Sequence, residues 1–593
     1  MAFADYIRQA VITGLEELYG QSFTGTDFQV NETRPEFEGD YSIVLFSLVK
    51  RLKLAPEVLA RALGDHLVAR HPRVFASCQA IKAFLNLTLT GEYLQAFLEE
   101  QYRNPGFGRR EPTGLRVMVE YSSPNTNKPL HLGHLRNIFL GWSTSEILKA
   151  AGHTVIETCV VNDRGIHICK SMIAWLKFAG GATPASTHTK GDHFVGDYYV
   201  KFNEEYQRQI RELTAAGMEE KEAERSAPIM KETQQMLLDW ERGDPDVVAL
   251  WKTMNGWVYE GFRETYDRIG VGFDEIFYES NTYLAGREFV KKGLENGSFY
   301  RKEDGSVWID LTAAGMDEKL LLRGDGTSVY ITQDIGLAKQ KFEQYSLDKS
   351  IYVIGDEQIY HMKVLQEICK KLGMPFYDSI YHLSYGMVEL TTGKMKSREG
   401  TVVDADDLID EMVTTASQHT EALGKVNDFT QAELDRLYET LGLGAMKFYL
   451  LRVDPKKRMV FNPGESIDFH GFTGPFVQYT YARIRSILRK TGEPATSTGA
   501  VDIPLLPLER QLVLTLEKFE GAVAQAAEEL NPSVIANYVF QLAQTYNTFY
   551  TGHSVVRAES EAKKELRLRL SLMTAQVIRS SLHLLGISVP ERM

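Results

Sequence analysis

Two histidines three residues apart, His131 and His134, with Gly133 between them, close the string Tyr121-Ser-Ser-Pro-Asn-Thr-Asn-Lys-Pro-Leu-His-Leu-Gly-His134. Imidazoles at that spacing share a helix face, and the glycine lets a ligand approach the backbone closely. A helix opening there also offers unpaired N–H groups and a positive dipole end, which together suit a polyphosphate. The chemistry implied is that of a nucleoside triphosphate site. A second string, Gly393-Lys-Met-Lys-Ser-Arg-Glu-Gly400, is basic and bounded by glycines, and could bring positive charge to the other side of the phosphates. It is not a phosphate loop of the Gly-x-x-x-x-Gly-Lys-Ser/Thr kind: the Gly386 to Gly393 spacing is wrong, and Met395 follows Lys394. The plainer readings are a helix cap with a solvated histidine pair and a basic hairpin tip in water. Zinc needs further ligands, and His153, Cys159 and Cys169 form neither a C-x-x-C nor an H-E-x-x-H arrangement.

These strings need elements to position them. Residues 115–120 form a short apolar run suited to a buried strand, and 135–151 have helical spacing of Leu, Ile and Phe. From residue 114 to 404, strand patterns at 154–161, 306–310, 328–331 and 349–354 alternate with helices. A further strand, 383–390, runs into the basic loop. Such alternation predicts a parallel sheet covered on both faces, with ligands at the C-terminal edge of the strands. A charged, helix-rich stretch over about 181–256 interrupts it as an insertion. Upstream, helical periodicity at 6–18, 43–54 and 56–67 and an alternating strand at 84–89 mark a small α+β module. It ends in a linker at Pro105-Gly-Phe-Gly108 and Pro112. Downstream, amphipathic segments at 432–452, 474–489, 509–530 and 566–585 predict a helical bundle. The expected fold class is therefore α/β: a Rossmann-like catalytic domain over 111–404, an N-terminal domain over 1–110 and an α-helical domain over 405–593.

At 593 residues, with 44% hydrophobic and 24% charged, the chain has the composition of a multidomain globular protein. No apolar run is long enough to cross a bilayer and the start lacks a signal-type apolar core, so a cytoplasmic protein without membrane attachment is expected. Four scattered cysteines fit free thiols in a reducing compartment. A net charge of −13 argues against a general nucleic-acid coat and leaves local clusters as candidate phosphate contacts, each as readily a solvated face: Arg109 with Arg110, Lys456 to Arg458, and Arg483, Arg485, Arg489 and Lys490. Tyr479, Tyr481, Tyr538, Tyr546 and Tyr550 could stack unpaired bases, although aromatics at helical spacing are more often core.

The histidine string resembles the H-x-G-H signature of class I aminoacyl-tRNA synthetases. Its wider context, S-S-P-N-x-x-K-P-x-H-x-G-H, is similar to that of the arginyl-tRNA synthetases in particular. The likeness continues in Gly39-Asp-Tyr-Ser42, Leu54-Ala-Pro-Glu-Val-Leu-Ala60 and Phe84-Leu-Asn86, which resemble that family's N-terminal tRNA-contacting domain. Thr473 to Ile487 and Leu584 to Met593 resemble its anticodon-binding domain. In the N-terminal module Asn86 and Lys82 are candidate tRNA contacts.

The resemblance implies attack of the arginine carboxylate on the ATP α-phosphate, giving arginyl-adenylate, then transfer to the terminal adenosine of tRNA(Arg). The protein supplies position and positive charge. His131, Gly133 and His134 would hold one side of ATP, and Lys394, Lys396 and Arg398 the other, with the backbone of Gly386, Met387 and Val388 on adenine. Against the family's K-M-S-K-S loop the chain reads Lys394, Met395, Lys396, Ser397, Arg398, without the fourth-position lysine. Many arginyl enzymes depart there too and carry a lysine upstream of the histidines, which matches Lys128. The missing charge is assigned to Lys128, with Lys394 secondary. For arginine the resemblance implies Glu120, Asn125, Tyr330, Asp334 and Gln358, with His361 nearby; Tyr330 to Asp334 is expected at a strand end preceding a helix. Mg2+ is expected to arrive with ATP, no resident metal is expected, and a monomer is expected. The rivals are a small nucleotidylyltransferase, which would have no anticodon to read, and a catalytically inactive tRNA-binding paralogue.

Overall fold

The computed structural model describes residues 3–283, 286–327, 329–390, 403–422, 424, 428–494 and 503–593. Its centre is a five-stranded, all-parallel sheet in the order Ile380–Tyr385, Lys349–Gly355, Arg116–Glu120, Thr154–Val161, Glu275–Tyr278. The middle strand is buried from Val117 to Glu120, which explains its unbroken apolar run: both of its faces are covered. From this strand the chain passes through the helix Leu132–Ala150 to Thr154–Val161 on one side, and returns later to Lys349–Gly355 on the other. The strand order therefore reverses beside Glu120, where parallel sheets open a crevice for ligands.

Several predicted elements shift. Residues 306–310 do contain a strand, Val307–Ile309, but it belongs to a separate antiparallel sheet with Tyr300–Arg301 and Lys319–Leu322. Of the strand expected at 328–331, the described residues 329–331 form none: Tyr330 opens the helix Tyr330–Tyr345. Ile331, Ile335, Ala338 and Phe342 bury one face of that helix, so packing at helical period overrides a β-branched start. The helix expected at 43–54 is split between a strand, Tyr41–Val44, and a helix, Phe46–Leu52, because Ile43 pairs with Leu85 in the N-terminal sheet. The single strand expected over 383–390 breaks at Gly386. Its second part, Val388–Leu390, leaves the main sheet to pair in parallel with Met459–Phe461.

The insertion is helical as expected, and its last helix, Pro245–Ile269, runs beyond the expected end. The N-terminal module carries a four-stranded antiparallel sheet, docked on the C-terminal helices by Arg510 on Asp40, Lys518 on Glu32 and the Tyr41 hydroxyl on Glu517. The C-terminal region is a helical bundle. The segment expected over 509–530 forms two helices, Pro507–Glu517 and Phe519–Glu529, and the helix Ser533–Gly552 completes the packing. All four cysteines are free. Among the described residues no helix is long and apolar enough to cross a membrane.

Candidate active site

The segment after Glu120 turns sharply on two non-glycine residues with positive φ, Ser122 at 75° and Ser123 at 45°. Each costs on the order of 1–3 kcal/mol and persists only where surroundings enforce it. Here they do. The Ser122 N–H donates to Asn137 Oδ1 (2.6 Å) and its hydroxyl meets Tyr266 (2.7 Å), while Asn162 Nδ2 donates to the Ser123 carbonyl (3.2 Å). Asn125 is exposed and bridges Asn162 at the end of the neighbouring strand.

His131 is the N-cap of the helix Leu132–Ala150, and the two imidazoles cap it reciprocally. The Gly133 N–H donates to His131 Nδ1 and the His131 N–H to His134 Nδ1, each at 3.1 Å. Both Nδ1 atoms are therefore acceptors, which places the proton of each neutral ring on Nε2. Burial, then the Lys128 ammonium, push His131 down to about 3; burial, then His131 and Lys128, hold His134 well below the usual range. The cap and the phosphate-site readings are thus compatible: the histidines consume two backbone donors of the helix start and present two Nε2–H donors instead. Lys128 is half-buried, has no hydrogen bond or ion pair among the described residues, and is shifted downward by burial.

Two neighbours on the histidine helix, whose roles the sequence did not disclose, hold this region together. Arg136 is fully buried, at 0% exposure. Its guanidinium donates to the carbonyls of Gly386 (2.7 Å), Met387 (3.2 Å), Pro455 (3.2 Å) and Lys457 (2.8 Å). Asn137 Nδ2 donates to the Val353 carbonyl (2.7 Å) and Tyr385 (3.2 Å), tying three strand ends to one side chain. Gly386 has to be glycine: a Cβ there would lie 2.7 Å from the Arg458 nitrogen. The only advance signal was their position two and three residues after His134.

On the other side of the crevice the helix Tyr330–Tyr345 presents Tyr330, Asp334 and Lys341 at spacings of four and seven, along one face. Tyr330 is 73% exposed. Asp334 does not precede the helix as expected; it lies inside it and accepts from His361 Nε2 at 2.7 Å, which raises the imidazole above its usual range. Gln358 is exposed at the start of the helix that carries His361. Glu120 and Lys341 form a buried ion pair, with Lys341 at 0% exposure. Tyr352 stands opposite Glu120 in the sheet, and its phenol is raised by burial and then by the charges of Glu120 and Asp334. A third carboxylate, not anticipated, joins them: Glu279 is pushed up to about 7 by burial, opposed by Arg164 and reinforced by Asp163 and Asp334. The structure therefore gathers Glu120, Asp334, Glu279 and His361 around one acidic crevice. Lys394, Lys396 and Arg398 lie outside the described residues; Val388 follows Met387 in the short strand beside Met459–Phe461.

Of the five tyrosines, Tyr481, Tyr538 and Tyr546 are core; Tyr550 is exposed, and Arg483 stacks between it and Tyr479 at 5.4 and 4.9 Å. Asn86 is buried and donates to the Glu38 carbonyl at 3.1 Å, whereas Lys82 sits exposed at a hairpin tip.

Residues 99–462 match the family model of the class I (R) tRNA synthetase catalytic domain. Residues 477–593 match the DALR anticodon binding domain, and 5–89 the arginyl tRNA synthetase N-terminal domain. Arginine–tRNA ligases of Bacteroides thetaiotaomicron and Flavobacterium psychrophilum are 52% and 49% identical, each over 100% of both chains. Among solved structures, the arginyl-tRNA synthetase of Thermus thermophilus superposes with a TM-score of 0.82 at 26% identity over 100% of both chains. With three domain models and full-length relatives in agreement, the chain belongs to the arginyl-tRNA synthetase family of class I.

Proposed function

We propose that this chain activates arginine with ATP and transfers it to the 3'-terminal adenosine of its tRNA, at the 2'-hydroxyl by its class I likeness. The observation that carries the reading is that the strand ends of one parallel sheet lead both to two neutral Nε2–H imidazoles with an ammonium that has no partner among the described residues, after Arg116–Glu120, and to carboxylates at Glu120 and, after Glu275–Tyr278, at Glu279. A polyphosphate fits the first set and a guanidinium the second.

In the first step an arginine carboxylate oxygen bonds to the α-phosphorus and the bond from that phosphorus to the β-bridging oxygen breaks. Pyrophosphate leaves with the negative charge. His131 and His134 donate to phosphate oxygens, Lys128 stabilises the developing charge, and Lys394 assists with Lys396 and Arg398 on ATP. Gly386, Met387 and Val388 take adenine, and the magnesium belongs to the incoming nucleotide. Asp334 and Glu120, with Glu279 beside Asp334, receive the guanidinium against Tyr330, while Asn125 and Gln358 hold the amino-acid end. His361 holds Asp334 until the substrate arrives. The Tyr479, Arg483 and Tyr550 stack is where an unpaired anticodon base would lie. The domains divide near residues 110 and 404, and the enzyme acts as a cytoplasmic monomer.

Aminoacylation of total tRNA with a panel of labelled amino acids, run beside ATP–pyrophosphate exchange with and without tRNA, tests this directly. Arginine alone should be charged. Binding of tRNA without charging would make the chain an inactive paralogue.

The acidic crevice also predicts a pH dependence. With its folded value raised to about 7, protonated Glu279 stabilises the fold fully below its ordinary range, and that contribution is lost as pH rises through 7. A bound guanidinium favours the ionised form, so arginine should bind about tenfold more tightly at pH 8 than at pH 6. Calorimetric titration of arginine across this range, repeated on Glu279→Gln, checks it: an equally steep profile in the variant would remove Glu279 from the pocket.

A further inference from the structure

Away from the crevice, five ionisable groups and a hydroxyl from three elements converge behind His131. Lys190, Asp192 and His193 stand at the start of the insertion helix Gly191–Ala215, and Thr265 on the helix Pro245–Ile269. Asp404 and Asp406 stand at the start of the helix Ala405–Ala422. Asp406 is the hub. It accepts from Lys190 Nζ at 2.6 Å, His193 Nε2 at 3.1 Å and the Thr265 hydroxyl at 3.1 Å. Lys190 also reaches Thr265 at 2.6 Å and Asp192 at 3.3 Å, and His193 lies 3.4 Å from Asp404. Asp192, His193 and Asp406 have the spacing of metal ligands, but the Lys190 ammonium already supplies the positive charge between them.

Both ends of this cluster are fastened to the string that carries the histidines. Residues 403–405 pair with 130–132: the Leu132 N–H donates to Val403 (3.3 Å), the Ala405 N–H donates to Leu130 (3.0 Å), and His131 bridges Asp404. The insertion helix closes on the same string from the other side, where a Cβ at Gly196 would meet Pro129 at 2.8 Å and Lys128 at 3.6 Å. Two more glycines let the insertion helix pack against Pro245–Ile269, which carries Thr265: a Cβ at Gly191 would overlap the Trp257 carbonyl at 1.9 Å, and one at Gly261 would meet Asp192 at 2.2 Å. Buried ionic networks are poor sources of stability but fix geometry, since each member is held in several directions.

We propose that Asp406 is a positioning residue for arginine activation: with Lys190, His193 and Thr265 it clamps residues 403–405 and the insertion helix together around Lys128 to Leu132, setting His131 and Lys128 relative to each other. The proposal rests on the assignment of those two residues to ATP. His193, raised to about 9 chiefly by its hydrogen bond to Asp406, remains a cation at neutral pH; Lys190 opposes that charge, while Asp192 and Asp404 favour it. The ion pairs of the clamp therefore stand through the working range.

The test uses the full-length enzyme with tRNA present. Asp406→Asn should lower the turnover of pyrophosphate exchange about tenfold or more, with the arginine dissociation constant unchanged, and Lys190→Arg should restore more of it than Lys190→Met. Because the clamp acts through Lys128, Asp406→Asn combined with Lys128→Ala should be scarcely slower than Lys128→Ala alone. Wild-type turnover in Asp406→Asn, or multiplicative losses in the double variant, would overturn the proposal. Should Asp406→Asn not fold, His193→Gln removes one arm of the clamp and carries the same two comparisons. Failure of the underlying assignment looks different: Lys128→Ala would by itself run at the wild-type rate.

Discussion

Lys128→Ala is expected to slow arginine activation by about 10²- to 10³-fold, the usual loss when one preorganised charge is removed from a developing anion. The arginine dissociation constant should stay within about twofold, because a group acting only in the transition state leaves ground-state binding untouched. The structural ground is that this ammonium is half-buried, is shifted downward by burial, and has no partner among the described residues. A buried charge without a counter-ion is costly, and such groups concentrate where a ligand supplies the missing charge. The two histidines cannot substitute: burial keeps both neutral, so they donate hydrogen bonds but bring no net charge. Exchange rates measured with saturating tRNA, set beside calorimetric arginine binding, separate the two effects. Parallel losses in rate and binding, or no loss, would withdraw the charge from Lys128.

The second large effect concerns the fold. Lys341→Met should destabilise the catalytic domain by about 3–5 kcal/mol, because it leaves the Glu120 carboxylate buried without its cation. Lys341 also lies 5.2 Å from the Phe277 ring and 5.2 Å from the Tyr352 ring, so the space it vacates is lined by aromatics that methionine can fill. Adding Glu120→Gln should recover most of the loss, since removing both members of a buried pair is often close to neutral. The recovered double variant should fold yet bind arginine poorly, which separates the structural work of the pair from its place in the pocket. Urea unfolding followed by tryptophan fluorescence reads the stability; a Lys341→Met protein as stable as wild type would mean that Glu120 has another partner or sits protonated.

The sequence was most legible where local pattern and tertiary role coincide. The strand Thr154–Val161 and the helices Gln431–Leu451 and Gly474–Thr491 each answer to a single local signal, and they form where expected. The elements that moved are those where two signals compete. Ser-Val-Tyr-Ile at 328–331 is β-prone residue by residue, but Ile331 belongs to a helical stripe that continues through Phe342. Residues 383–390 look like one strand, yet Gly386 turns the chain toward a partner more than 60 residues downstream, a pairing with no local trace. The site shows the same division. Among the candidates, the histidines, Lys128 and Asp334 stand out in motifs, whereas Glu279 and Lys341 lie in unremarkable strings and become candidates only because the fold sets Glu279 near Asp334 and Lys341 on Glu120. From sequence a histidine cap and a phosphate site are rivals; in the structure one imidazole accepts from the backbone at Nδ1 and keeps Nε2–H free to donate.

The four carbonyls around Arg136 set a limit on how early in synthesis the site can mature. Two of them, on Pro455 and Lys457, come from a segment that leaves the ribosome more than 300 residues after Arg136 itself. Until it arrives, the guanidinium would be buried with half of its acceptors missing, and the Gly386 N–H would lack the Pro455 carbonyl. A nascent chain ending before residue 455 therefore contains the histidines, Lys128 and the acidic crevice, but not the brace that holds Gly386 and Met387 against the histidine helix. On the proposed reading, such an incomplete chain would lack a finished seat for ATP until residues 455–457 have been made, just ahead of the helices that match the anticodon binding domain at 477–593.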